Sequence, residues 1–469
     1  MSLFKKSEPI PQESLLFSRK ALIKLIVPLI LQQILGVSVG MADSMMVSYA
    51  GEAAVSGVSL IHTLDTLLII FFTALVSGGS VVIAQALGKK HAGNVHEAAK
   101  QLIYSATVMA TLLSVAVLLL RGPLLNLLFG DAEPDVLDNA MRYFSVVAFS
   151  FPLLAVIESI AACFRAAGNS FITLLVSLAI NAMNIIGNAV LIYVFDMGAV
   201  GAALATVLSR LVGAVILIVL IQQKKHPVHV KKLLHYKPDF AIIKRILHIG
   251  VPNGIENSMF QFGRLLTQSL ISSMGTAVIA GNAVALTLAN FQYMTGNACG
   301  GAMIPVVGRC IGAGEKKQAK YYSRKILILN YIFLGAVILV TLLFLKPLVS
   351  LYGLSGDSSA LAQRLVIWHC VIAILIWPVG FMLPSAFRAA SDVRFCMVIS
   401  MISMWVFRVL GAYVLALDTV SVFGLFSFPG AGLGITGVWI AMFIDWAFRS
   451  SLFFIRYLSG KWLRVRKEI

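Results

Sequence analysis

Apolar runs of twenty or more residues, separated by short polar stretches, recur along the whole chain. A helix needs about twenty such residues to cross the hydrocarbon of a bilayer. The runs predict spans near 24–48, 58–84, 101–120, 143–163, 170–195, 199–222, 248–272, 282–308, 326–345, 366–386, 395–417 and 434–455. Membrane barrels are set aside, because their strands alternate polar and apolar residues in short segments. The expectation is an all-α integral membrane protein with twelve transmembrane helices.

The pattern also repeats. Val27 and Pro28 return as Val251 and Pro252, Gly51, Ala53 and Gly57 as Gly275, Ala277 and Gly281, and Gly88 as Gly312, all at an offset of 224. The tetrapeptide from Phe164 to Ala167 returns at Phe387 with an offset of 223, and Gly201 with Ala205 returns as Gly437 with Ala441 at 236. The last step is an insertion near 419–432, on the outer side between the final two spans. Each half holds an even number of spans, so the halves enter the membrane in the same sense and are related by an axis along its normal. The expected architecture is two pseudo-symmetric six-helix bundles, 24–221 and 248–456. A cytoplasmic linker at 222–247 joins them, and the tails at 1–23 and 457–469 are cytoplasmic. Two homologous bundles suit alternating access around a fixed site, which a transporter needs and a channel or receptor does not. Small residues such as Gly78, Gly79, Gly201, Gly300 and Gly301 let backbones approach closely. Pro152, Pro305, Pro378 and Pro384 lie within spans, where each removes a backbone donor and can kink the helix.

Composition agrees: 59% of the 469 residues are hydrophobic and 12% charged, too apolar for a soluble multidomain protein. The net charge of +17 raises the question of nucleic acid, and the placement of the basic residues answers it. About 29 of the 37 Lys and Arg fall in alternate loops and both tails, while the opposite loops hold acids such as Glu52, Asp131, Glu133, Asp135 and Asp418. This positive-inside bias puts both termini in the cytoplasm, in the plasma membrane, and makes a polyanionic partner unnecessary. Five cysteines at dispersed positions imply no disulfide framework.

The chemistry is carried by polar residues inside the spans. An ionised aspartate in hydrocarbon costs a few kcal/mol even on lenient scales, so Asp43 must face a cavity, a partner or a proton. Asp65, Glu158, Glu256 and Asp445 are the other acids within spans, and Arg210, Arg264, Arg408 and Arg449 are basic residues there. Asn257, Gln261, Arg264 and Gln268 follow one helical face of the seventh span and point to a water-lined cavity. Asn181, Asn184 and Asn188 do the same on the fifth span, and Thr206 on the sixth adds a hydroxyl. All are neutral oxygen ligands. In the repeat Asp43 aligns with Thr267 and Gln32 with Glu256. Asp445 is expected to pair with Arg264 or Arg408, and Arg210 to serve Asp445 or backbone carbonyls. Arg165 and Arg388, in the repeated tetrapeptide, read as cytoplasmic anchors. Trp377 offers a face for a cationic substrate. No phosphate-binding loop, metalloprotease pair or nucleophile elbow is present, so neither direct ATP use nor an enzyme is expected.

Pro28 fifteen residues before Asp43, the set Asn184, Asn188 and Thr206, the repeated Phe-Arg-Ala-Ala, the run from Gly198 to Thr206 and the segment from Gly437 to Trp462 together resemble the multidrug and toxic compound extrusion (MATE) family. The resemblance covers essentially the whole chain. It implies export of small, cationic or amphipathic molecules in exchange for Na⁺ or H⁺. It also implies a cation-coupling site at Asp43, Asn184, Asn188 and Thr206, holding Na⁺ if sodium is the ion. Asn188 stands where some members carry an acid, which favours neutral ligation over a proton-sharing pair. Substrate-cavity candidates are Gln32, Asp65, Glu256, Asn257, Gln261, Arg264, Gln268, Trp377 and Asp445. No cofactor beyond the coupling ion is expected, and the partners are small molecules and the lipid bilayer, with no obligate protein partner evident. The alternative is a flippase of lipid-linked saccharides, which would be expected to need a strongly basic cavity.

Overall fold

Gly51 and Gly275, one repeat apart, turn the chain between the first and second helix of each half, and both take φ values only glycine adopts freely, +99° and +94°. The repeated glycine is thus explained by a backbone requirement rather than by packing. The computed structural model describes residues 11, 14–90, 92–129, 133–230, 236–422 and 426–464. Asp131, the tail before Ser14 apart from residue 11, and the final five residues lie outside them.

The first half runs through α1 (Arg19–Ser48), α2 (Glu52–Gly88), α3 (Ala92–Phe129), α4 (Pro134–Ala166), α5 (Ser170–Val194) and α6 (Gly198–Ile221). The second runs through α7 (Phe240–Ser272), α8 (Thr276–Gly312), α9 (Lys316–Leu343), α10 (Gly356–Ala389), α11 (Val393–Ala416) and α12 (Gly434–Leu458). Among the described residues ten of these are long and apolar enough to cross a membrane. The other two, α7 and α8, have the length, at 33 and 37 residues, and carry polar residues such as Glu256, Arg264 and Gln292. Pro305 sits inside an unbroken α8, whereas α10 changes to π-helical winding over Pro378–Met382. The insertion folds as an antiparallel hairpin, β1 (Thr419–Val422) and β2 (Phe426–Pro429), with Thr419 opposite Pro429.

Two compact units are present, Phe17–Gly254 and Ile255–Ile469, the latter including the segment up to Leu16. The division falls inside α7, whose first half packs in the N-terminal unit. A methyl group added at Gly78 of α2 would lie 2.6 Å from the Gly250 nitrogen, so the two helices cross backbone to backbone. Asn253 tightens that crossing by donating to the Ala74 carbonyl at 3.1 Å and the Ser77 hydroxyl at 2.7 Å. The linker is fastened to the same unit. Val228 and Val230 are buried, Tyr236 stacks on Tyr104 at 4.0 Å, and its hydroxyl donates to Gln101 at 2.8 Å. Burial, with Glu97 adding, raises the Tyr236 pKa, which keeps the phenol protonated as a donor. Reciprocally, Gln318 of α9 holds the N-terminal segment, donating to the Ser14 carbonyl at 2.9 Å and accepting from the Leu16 amide at 3.0 Å.

The N-terminal unit has a core around Ile61, Phe144, Phe151 and Ala203. The C-terminal unit has one around Leu288, Val366, Trp377, Trp439 and Trp446.

Candidate coupling site

Three helices bring the candidate set together in the N-terminal unit. Asp43 comes from α1, Asn184 and Asn188 from successive turns of α5, and Thr206 from α6. The Asn188 amide donates to Asp43 Oδ1 at 2.7 Å. Turned so that both its ends are satisfied, the Asn184 amide donates to Asp43 at 2.7 Å and its oxygen lies 3.3 Å from the Thr206 hydroxyl. Thr206 also donates to the Ala202 carbonyl at 3.0 Å. Asn188 is 1% exposed, and its Oδ1 has no hydrogen-bond partner. A buried amide oxygen without a donor is costly, and here it stands beside a carboxylate. Immediately after Asn188 the helix widens into a π-helical stretch, Ala189–Val194, of the kind often found at functional sites.

Around this group lie a second acid and its partner. Arg210 of α6 reaches Asp65 of α2 at 3.2 Å and the Ser150 hydroxyl at 2.6 Å. Arg210 was expected to serve Asp445 or a carbonyl. The structure corrects this, because a buried carboxylate on the neighbouring helix needs the charge. Tyr143 of α4 lies against Thr206, and His62 of α2 lies within electrostatic range of Asp43. An aromatic residue inside an apolar run gives no sequence signal, and Tyr143 was not singled out.

The C-terminal unit holds two further polar groups. Glu256 of α7 accepts from Arg388 at 2.8 Å and from the Ser400 hydroxyl at 2.7 Å. Arg388, half-buried, is therefore the ion partner of Glu256, a role the sequence did not give it. Arg165, its repeat counterpart, pairs with Glu158 at 3.4 Å. Asp445 of α12 meets Arg449 at 3.4 Å, Arg408 of α11 at 3.7 Å and the Ser403 hydroxyl in a short hydrogen bond. The expected pairing of Asp445 is thus with Arg408. Arg264 makes no ion pair among the described residues, and its charge acts on Arg408 and Tyr293 instead.

The remaining candidates are dispersed. Gln32, Asn257 and Gln261 are half-buried, and Gln268 is exposed on α7. Trp377 does not offer a face to a substrate. It is buried between Tyr293 and Phe381, with ring centroids at 5.1 and 5.3 Å and planes 12° apart in both stacks. Beside it His369 bridges Gln292 at 3.0 Å and Tyr293 at 2.8 Å, a polar chain whose members the sequence did not mark.

The MatE family model matches residues 28–190 and 252–414, two copies separated by the repeat offset seen in the sequence. The chain is 29% identical to a probable multidrug resistance protein NorM of Thermotoga maritima, over 98% of this chain and 96% of that protein. It is 25% identical to an uncharacterized transporter, YisQ, of Bacillus subtilis, covering 93% of each. A solved structure of MATE in the bent conformation superposes with a TM-score of 0.83 at 20% identity, over 94% of both chains. Its identity is low, so it speaks for the fold, and the two family repeats and the relatives speak for the rest. The chain belongs to the MatE family of multidrug and toxic compound extrusion transporters, and it is a multi-pass membrane transporter rather than an enzyme.

Proposed function

We propose that the protein is a secondary active antiporter of the plasma membrane, with both termini cytoplasmic, that exports small cationic or amphipathic compounds in exchange for Na⁺ bound at Asp43, Asn184, Asn188 and Thr206. The observation that carries the site is the buried, unpartnered Oδ1 of Asn188 beside the Asp43 carboxylate. Carboxylate, amide and hydroxyl oxygens are hard donors of the kind alkali cations take. One carboxylate with neutral oxygens matches a single positive charge.

Both amides direct their nitrogens at Asp43, and each stabilises the carboxylate by donating to it. A cation reverses that preference. Rotating each amide would present its oxygen in place of its nitrogen, so the amides exchange one way of stabilising Asp43 for another. Ion binding is thereby coupled to the packing of α1 against α5 and α6, the helices that carry the ligands.

The test is export of a fluorescent organic cation by protein in liposomes, at fixed pH and membrane potential, as Na⁺ on the side opposite the substrate is varied. Export should rise and saturate with Na⁺, and Asp43→Asn should reduce it to the level of empty liposomes. A flat response removes Na⁺ as the ion, and undiminished export in the Asp43→Asn protein removes the site.

A further inference from the structure

At the 224-residue offset of the two family repeats, Asn184 corresponds to Arg408 and Asp43 to Thr267. At the 236 offset of the last helix, Ser209 corresponds to Asp445 and Gly213 to Arg449. Within the Arg408, Asp445 and Arg449 cluster only Arg408 stands opposite a residue of the coupling site, since Asn188 and Thr206 correspond to Ala412 and Met442. The cluster sets two guanidinium groups around one carboxylate.

The pairing inside this cluster is incomplete. Asp445 is fully buried and Arg449 is 3% exposed, yet the carboxylate lies 3.4 and 3.7 Å from the two guanidinium groups. A well-formed pair closes to about 2.8 Å. Asp445 Oδ2 accepts no hydrogen bond, and Arg449 Nε donates none. Ser403, the nearest hydroxyl, is spent on Asp445 Oδ1 and the Asp445 carbonyl. Arg264, exposed on α7, adds a third positive charge that acts on Arg408. An unpaired guanidinium is costly in hydrocarbon. Arg408 is not fully covered either, with 13% of its side chain exposed. The walls are aromatic: Arg449 stacks 4.7 Å over Phe381, and both Arg408 and Arg449 lie within 5.6 Å of the Phe260 ring. Glu256 does not relieve the excess, because Arg388 already neutralises it.

We infer that this cluster is a binding site for the anionic end of an aromatic amphipath, a carboxylate held by Arg408 and Arg449 while its ring lies against Phe260. Asp445 acts as the internal counter-ion, occupying the guanidinium groups when no ligand is bound and giving way when one is. A role of this site in export rests on the transporter reading, but ligand binding does not.

The experiment is calorimetric titration of the full-length protein in lipid nanodiscs, without Na⁺ and without any ion gradient, so that it stands apart from coupled export. The probes are 1-naphthoate, its methyl ester and 1-naphthylmethylammonium. Naphthoate should bind saturably, and the other two at least tenfold more weakly. Arg408→Gln and Arg449→Gln should each weaken naphthoate at least tenfold, and Arg408→Lys should retain most of the affinity. Asp445→Asn should tighten binding severalfold, which a purely structural aspartate would not do. Equal or stronger binding of the ammonium probe overturns the inference, and that comparison needs no variant. So does unchanged affinity in Arg408→Gln, or loss of affinity in an Asp445→Asn protein whose melting temperature matches the parent's.

Discussion

Asn188 differs from an aspartate by the exchange of an amino group for an oxygen, and that exchange decides whether Asp43 has a neighbour able to share a proton. With its amide 2.7 Å from Asp43, Asn188→Asp would place two carboxylates in contact, and like charges so close cannot both ionise. Transport by this variant should therefore lose most of its Na⁺ dependence and acquire a steep pH dependence, measured as export rate against pH at constant Na⁺. Asn188→Leu should instead keep the parental pH profile and raise the half-saturating Na⁺ concentration about tenfold or more, as loss of metal-supporting groups does. The neighbouring pair makes a stability prediction. Arg210→Gln leaves Asp65 buried and charged, costing about 3–5 kcal/mol, whereas replacing both residues with leucine recovers most of that loss in thermal unfolding. At this scale the sequence was informative about isolation but silent about partners. Asp43 stood out because an acid in an apolar run is expensive. Nothing in the run could say that Asp65 and Arg210, 145 positions apart, would meet. Asn184, Asn188 and Thr206 were visible as oxygen donors, and their grouping with Asp43 came from family resemblance.

Hydrophobic periodicity located the helices well because each must bury an apolar surface in lipid or protein along its whole length. It was less able to see changes of winding. The π-helical stretches at Ala189–Val194, Pro378–Met382 and Ser403–Leu410 adjoin Asn188, follow Trp377 and contain Arg408. Each moves side chains off the regular 3.6-residue register at a polar centre, and only the Pro378 stretch carries a proline to mark it. The small-residue crossings were legible as types but not as pairs. Gly78 and Gly250 prove to be a pair, since an added methyl on either meets backbone of the other helix at 2.6 Å or less. Backbone cannot give way as a side chain can. Gly250→Ala should lower stability by about 1–3 kcal/mol, read as a fall in melting temperature in nanodiscs, while Gly36→Ala, with nothing within 4 Å, should not.

The repeat lays out the two-part plan of the molecule in the sequence, because duplicated spacing survives where individual residues have changed. What duplication could not show is the divergence of chemistry between the halves, since that depends on which side chains converge. A molecule of two related units is often pictured as two beads on a string, with the linker as the string. The fastening of the linker, and of the first half of α7, to the N-terminal unit gives a different picture. Lys224 and Lys225 are exposed, so trypsin can sever the chain there. The cut would separate the first six helices from the seventh, yet the part of α7 that crosses α2 at Gly78, with Asn253 bonded to Ala74 and Ser77, would stay clasped in place. The fragments should then elute together in gel filtration and part only on denaturation. The same logic makes this bond a place to divide the gene: the two pieces, made as separate polypeptides in one cell, should find each other and reconstitute a working protein.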